Sequence, residues 1–134
     1  MNVKEKIIPV LLLLFAFRVA AQDPQNMKVE NQILDCVSIK PTFQNMKEAE
    51  ESLSNSTFAF TQNFKTTKKS GVKEAHFYSC NHEVGFLRIK VNDKELLYRN
   101  VTRYNWKLLI ESKDLDEFYE KNIRGRFPSA IRNG

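Results

Sequence analysis

The clearest strand in the chain is residues 84–91, where Leu87, Ile89 and Val91 point one way and Phe86, Arg88 and Lys90 the other. That is the period-two pattern of a half-buried strand. Asn92-Asp93-Lys94 follows as a hairpin turn, and residues 95–99 return as the next strand. Upstream, residues 75–80 are strand-like and aromatic, and Asn81-His82-Glu83 turns into Val84. Residues 57–61 also alternate, which predicts a strand with Phe58 and Phe60 on one face. Residues 66–71 read as a polar, basic loop. A short strand is expected over 33–39, with Cys36 inside it, ending before Pro41. Strands joined by turns, with no crossover helix between them, imply an antiparallel sheet.

Helical spacing appears three times. Residues 44–53 place Met46, Ala49 and Leu53 on one face, and Ser54-Asn55-Ser56 breaks the pattern. Thr102 is an N-cap for a helix whose apolar stripe is Trp106, Leu109 and Ile110, widened by Tyr104 or Leu108. Asp114 caps the next helix, and Glu117 three residues on completes a capping-box pattern. Leu115, Phe118, Tyr119 and Ile123 share one face of it, and Gly125 is placed to stop it. Trp106, Phe118 and Tyr119 are therefore core aromatics. The fold class that follows is α+β: a small antiparallel sheet of hairpins followed by two short C-terminal helices.

Residues 1–21 are set apart from this domain. Lys4 and Lys6 precede an apolar run over 7–17, and Val19-Ala20-Ala21 offers small residues before a cleavage point at Gln22. This is the layout of a cleavable signal peptide, with a run too short to span a membrane. A polar leader over 22–32 and a single domain over 33–134 complete the expected organisation. The expected location is secreted or periplasmic, with no transmembrane segment in the mature chain. Asn55-Ser56-Thr57 and Asn100-Val101-Thr102 match the glycosylation sequon, which the bacterial look of the leader leaves unused.

Charge adds placement rather than magnitude. The whole chain carries +5, and the leader's three bases and one acid leave about +3 for the mature protein. Lys65, Lys68, Lys69 and Lys73 cluster at one loop, and Lys121, Arg124, Arg126 and Arg132 lie in a tail with no acid after Glu120. Either group is solvated surface or a contact for a polyanion. Two cysteines in an exported chain, Cys36 and Cys80, predict one disulfide. Reading Cys80-x-His82 instead as a metal site or a nucleophile–base pair lacks the ligand count and the free thiolate. No nucleophile elbow, zinc-protease motif or Gly-rich phosphate loop occurs, and four glycines in the whole chain argue against a phosphate cradle. No catalytic residue, cofactor or metal is expected.

Residues 77–127 resemble the KTSC domain, a small bacterial module named for the C-terminus of some lysyl-tRNA synthetases. Tyr98, Asn100-Val101, Phe118-Tyr119 and the ending Ile123-Arg124-Gly125-Arg126-Phe127 carry the resemblance. Leu96, Thr102 and Asp114-Leu115-Asp116 depart from the family's pattern. The resemblance implies a hairpin followed by helices, and RNA binding has been suggested for the family. The expected function is an exported, non-catalytic interaction module whose partner is a protein or polyanion outside the cytoplasm. The alternative is RNA or other polyanion binding through Arg124, Arg126 and the 65–73 loop, with stacking aromatics. Export argues against RNA.

Overall fold

The computed structural model describes residues 34–132. Four strands form one antiparallel sheet in chain order: β1 Phe60–Lys65, β2 Val72–Ser79, β3 Val84–Val91 and β4 Lys94–Thr102. Gln62, Phe77, Leu87 and Tyr98 lie side by side across it. Helix α1, Met46–Ser54, precedes the sheet; α2, Arg103–Glu111, and α3, Leu115–Asn122, follow it. The α+β class and the two C-terminal helices are as the sequence pattern predicts. Among the described residues no helix is long and apolar enough to cross a membrane.

Alternation sorts the sheet's side chains into two layers. On one face Ala75, Phe77, Leu87, Ile89 and Val101 meet Trp106 and Leu109 from α2 and Leu115, Tyr119 and Ile123 from α3. Trp106 stacks on Phe77 with ring centroids 5.5 Å apart, and its Nε1–H donates to Gln62 Oε1 at 2.7 Å. The indole is thus buried with its one donor satisfied. On the other face Phe43, Ala49, Leu53, Leu97 and Ala130 form a smaller cluster with half-buried Met46, Phe58, Tyr78 and Phe86.

Local chemistry fixes the element ends. Thr102 accepts from the Asn105 N–H, and Asn45 caps α1 by accepting from Glu48 N–H at 2.9 Å. Asn92 and Asp93 both adopt positive φ, 50° and 66°, as a tight hairpin turn that follows the strand twist requires. Gly125 leaves α3 at φ 76°. Gly85 is needed for a different reason: a Cβ there would lie 1.9 Å from the Tyr78 carbonyl oxygen.

Three details differ from the sequence reading. The strand expected over 33–39 is not continuous in its described part, residues 34–39. Leu34–Asp35 is extended, and Cys36–Ser38 then forms a 3-10 helix capped by Asp35. Val37 is 77% exposed there, so alternation had no face to bury. Phe58 and Phe60 do not share a face, because the chain bends at Ala59 between Ser56–Thr57 and β1. Phe58 packs on Tyr78 and Phe60 on Phe77, on opposite sides of the sheet. The capping box at α3 is half made. Asp114 accepts from Glu117 N–H at 3.0 Å, but the Glu117 carboxylate turns along the helix to Lys121 Nζ at 2.7 Å.

Cys36 and Cys80 are disulfide-bonded, with Cα atoms 5.8 Å apart. The bond ties the 3-10 helix to the end of β2. Closing a loop of 44 residues limits the unfolded chain by roughly 4 kcal/mol on the chain-entropy argument. A structural disulfide of this kind is compatible with an oxidising, extracellular or periplasmic setting. The expected signal peptide and leader lie outside the described residues.

Candidate functional site

The two edges of the sheet are treated differently. Along β4 the C-terminal segment adds an outer layer of hydrogen bonds: Arg99 N–H donates to Pro128 O at 3.0 Å and Ala130 N–H to Leu97 O at 2.8 Å. That segment is held in turn by Phe43, whose N–H donates to Ala130 O at 2.7 Å. Nothing comparable covers β1 among the described residues. Thr66 N–H donates to Lys73 O across the ladder at 3.1 Å, and antiparallel pairs alternate between bonded and unbonded. Phe64 and Gln62 therefore spend their backbone groups on β2, while Thr61, Asn63 and Lys65 aim theirs outward. Such an edge is a template for another extended chain.

Beside that edge lies a groove of about 520 Å³ between Gln62 and the outer side of α2, lined by Arg103, Tyr104, Trp106, Lys107 and Ile110. Tyr104 is 69% exposed, the most open aromatic of the α2 stripe. Arg103 lies over the Phe60 ring, 4.1 Å from its centroid, which holds a cation at the mouth of the groove. Helical spacing explains the layout. Trp106 and Leu109 face the core, so Arg103, Lys107 and Ile110 fall on the flank toward β1.

The basic residues singled out from the sequence occupy separate places. Lys65 and Lys73 converge with Lys90, Thr66 and Thr67 on a cleft of about 360 Å³ that also holds Glu74 and Asp93. Lys68 and Lys69 are exposed on the loop, and the Lys73 ammonium donates to Lys68 O at 2.9 Å. Glu74 hydrogen-bonds His76 Nε2 at 2.9 Å. That bond, helped by Lys65 and Lys90 and opposed by burial, holds the Glu74 carboxyl below the usual range. Arg124 stands elsewhere. It pairs with Glu120 at 3.2 Å and shares a cleft with Tyr98 and Tyr119. Arg126 is exposed. Asp116, at the start of α3, accepts from Gly71 N–H in the Lys loop, whereas Arg124 lies past the far end of α3, beyond Asn122.

The candidate chemistry at Cys80 and His82 is absorbed by structure. Both thiols are in the disulfide, so the cluster of Asp35, Cys36 and Cys80 offers no thiolate to a metal. His82 turns at φ 69° and lies beside Phe60, with ring centroids 6.1 Å apart. His76 bridges Asn63 and Glu74 across the two strands.

The open edge and its groove had no signal in the sequence reading. A strand's own residues do not say which neighbour it lacks. Comparisons with family models, curated proteins and solved structures return no match, so these surfaces are read from this chain alone.

Proposed function

We propose that this chain is an exported, non-catalytic interaction module with a KTSC-like C-terminal half, and that it docks an extended acidic peptide segment on the free edge of β1. The observation that carries this reading is the outward alternation of Thr61, Asn63 and Lys65 beside a groove with a cationic flank. Main-chain bonds to the edge supply register and affinity, and alternate side chains of the guest reach the groove. Among the residues lining the groove Arg103 and Lys107 face the one acid Glu111, while Lys65 at the strand's end is offset by Glu74 opposite it; the groove's cationic excess favours acidic side chains in the guest. Export rests on the leader over 1–21 and agrees with the Cys36–Cys80 bond.

The test is a titration of the oxidised protein with a peptide of alternating valine and glutamate, followed by amide hydrogen exchange. Slowed exchange at Thr61, Asn63 and Lys65 is the expected result. Thr61→Pro removes one outward N–H without touching the β1–β2 ladder. Peptide binding should fall at least tenfold in that variant. Equal binding by wild type and Thr61→Pro, or exchange effects confined to another surface, overturns the reading.

A second reading has its own observation. Lys65, Lys73 and Lys90 meet two threonines in one cleft and outnumber its acids Glu74 and Asp93 by one, a balance that leaves a cationic contact for a polyanion such as RNA. A single-stranded RNA shift that weakens steeply with salt and is lost in Lys65→Ala/Lys73→Ala supports it. No shift at low salt removes it. Arg124 lines a different cleft and Arg126 lines neither, so they should not contribute to this one.

A further inference from the structure

We infer that the cavity beside the disulfide, independent of the peptide edge, is a binding site for a small carboxylic acid with an apolar body. The cavity holds about 210 Å³, several times the roughly 30 Å³ a water takes up in the liquid. Its walls are mainly apolar: Ile39, Phe58, Tyr78, Phe86 and the Cys36–Cys80 bridge. One cation, Arg99, lines it. Arg99 Nε is buried and finds no hydrogen-bond partner among the described residues. A buried, unpaired guanidinium nitrogen calls for a partner, because leaving it desolvated is costly.

Alternation with Leu97 places Arg99 on this face, and a register shift just beyond it keeps Val101 off. Gly85 pairs with Val101 and Leu87 with Tyr98, so Phe86 alone faces the two residues Arg99 and Asn100. That is a β-bulge, with Asn100 in the left-handed region at φ 61°. Without the extra residue, strict alternation would carry Val101 onto the face of Arg99. With it, Val101 stays in the core beneath α2 and α3, and Arg99 stays on the opposite face.

The neighbouring arginine shows what Arg99 lacks. Arg88 Nε is also buried without a partner, but its Nη2 is held by Glu50 at 2.8 Å and by Glu95 at 2.9 Å, so its charge is already matched, whereas no carboxylate of the described residues pairs with Arg99. A guanidinium fork without a carboxylate of its own, set above aromatic walls, matches a monocarboxylate whose body is a single ring or a short branched chain. One cation in an apolar cavity disfavours phosphate, whose greater charge would be half unmatched.

The probe is phenylacetate, with neutral phenylacetamide as its control, titrated into the oxidised full-length chain and followed by NMR. Phenylacetate should saturate, with shifts centred on Phe58, Tyr78, Gly85 and Phe86. Phenylacetamide should bind at least tenfold more weakly. Arg99→Met, which keeps the apolar stem, should lose phenylacetate by a similar factor. Absence of saturable phenylacetate binding, equal binding of the amide, or shifts mapping to another surface overturns the inference. If Arg99→Met does not fold, the acid–amide comparison on the wild-type protein still decides.

Discussion

On the α2/α3 side of the sheet, Phe77, Leu87, Ile89, Trp106 and Ile123 are all essentially inaccessible, and the buried Tyr98 and Tyr119 hydroxyls bond each other at 2.5 Å. On the α1 side, only Phe43, Ala49, Leu53, Leu97 and Ala130 reach that degree of burial. The rest of that face is half-buried aromatics, the Arg88 ion pairs, an arginine-lined cavity and a disulfide. A domain of this size has a limited core, and this one concentrates it on one face. The other face is held by a covalent bond and by main-chain contacts of residues 128–132, and there the fold leaves room for a ligand.

The largest effect should come from the dry side. Trp106→Ala removes a fully buried indole stacked on Phe77 and should cost about 5 kcal/mol, read as a drop in the urea midpoint. Phe58→Ala, on the other face, should cost less than half as much. Similar losses at the two sites would erase the contrast. Next comes the covalent tie. Cys36→Ser/Cys80→Ser should lose up to roughly 4 kcal/mol and loosen the cavity and Phe58 while leaving amide protection in β3 and β4 largely intact. Loss of protection on both faces alike would show the disulfide supporting the whole sheet.

Asp116 is the third lever. Its two carboxylate oxygens accept from the Gly71 and Val72 N–H groups, each at 2.9 Å, so α3 grips the loop entering β2. Asp116→Ala should cost about 2 kcal/mol by thermal or urea unfolding and free the 66–71 loop. An unchanged midpoint would remove the clamp from the account. The smallest effect is Tyr119→Phe, about 1 kcal/mol at neutral pH. Burial, then the hydrogen bond to Tyr98, pushes the Tyr119 hydroxyl pKa up. The folded value lies above the unfolded one, so its contribution is complete below about pH 10 and is lost as pH rises beyond it. Wild-type stability should therefore fall more steeply than that of Tyr119→Phe above pH 10. Parallel pH profiles would contradict this.

Much of the dry side was legible because its signals are local. The alternation of Leu87, Ile89 and Val91, the Asn92-Asp93 turn, and the caps at Thr102 and Asp114 each act over a few residues and agree with one another. The other side depends on distant partners. Nothing near Phe58 shows that a bend at Ala59 sends it to the opposite face from Phe60. Asp116 reads as an ordinary first-turn acid, and its grip on Gly71 and Val72 spans 44 residues or more. The disulfide was legible by counting two cysteines in a chain whose leader predicts export. Which basic residues share a cleft was not, because Lys90 joins Lys65 and Lys73 only through sheet register, while Arg124, past the end of α3, lines a different cleft. The open edge of β1 is likewise a property of strand order.

Amide hydrogen exchange along β1 in the free, oxidised protein tests the central claim most directly. Thr61, Asn63 and Lys65 should exchange rapidly, and Gln62 and Phe64, bonded to β2, should be slowed at least a hundredfold relative to them. Uniform protection along the strand would mean that the edge is already covered, and would contradict its role as the docking surface.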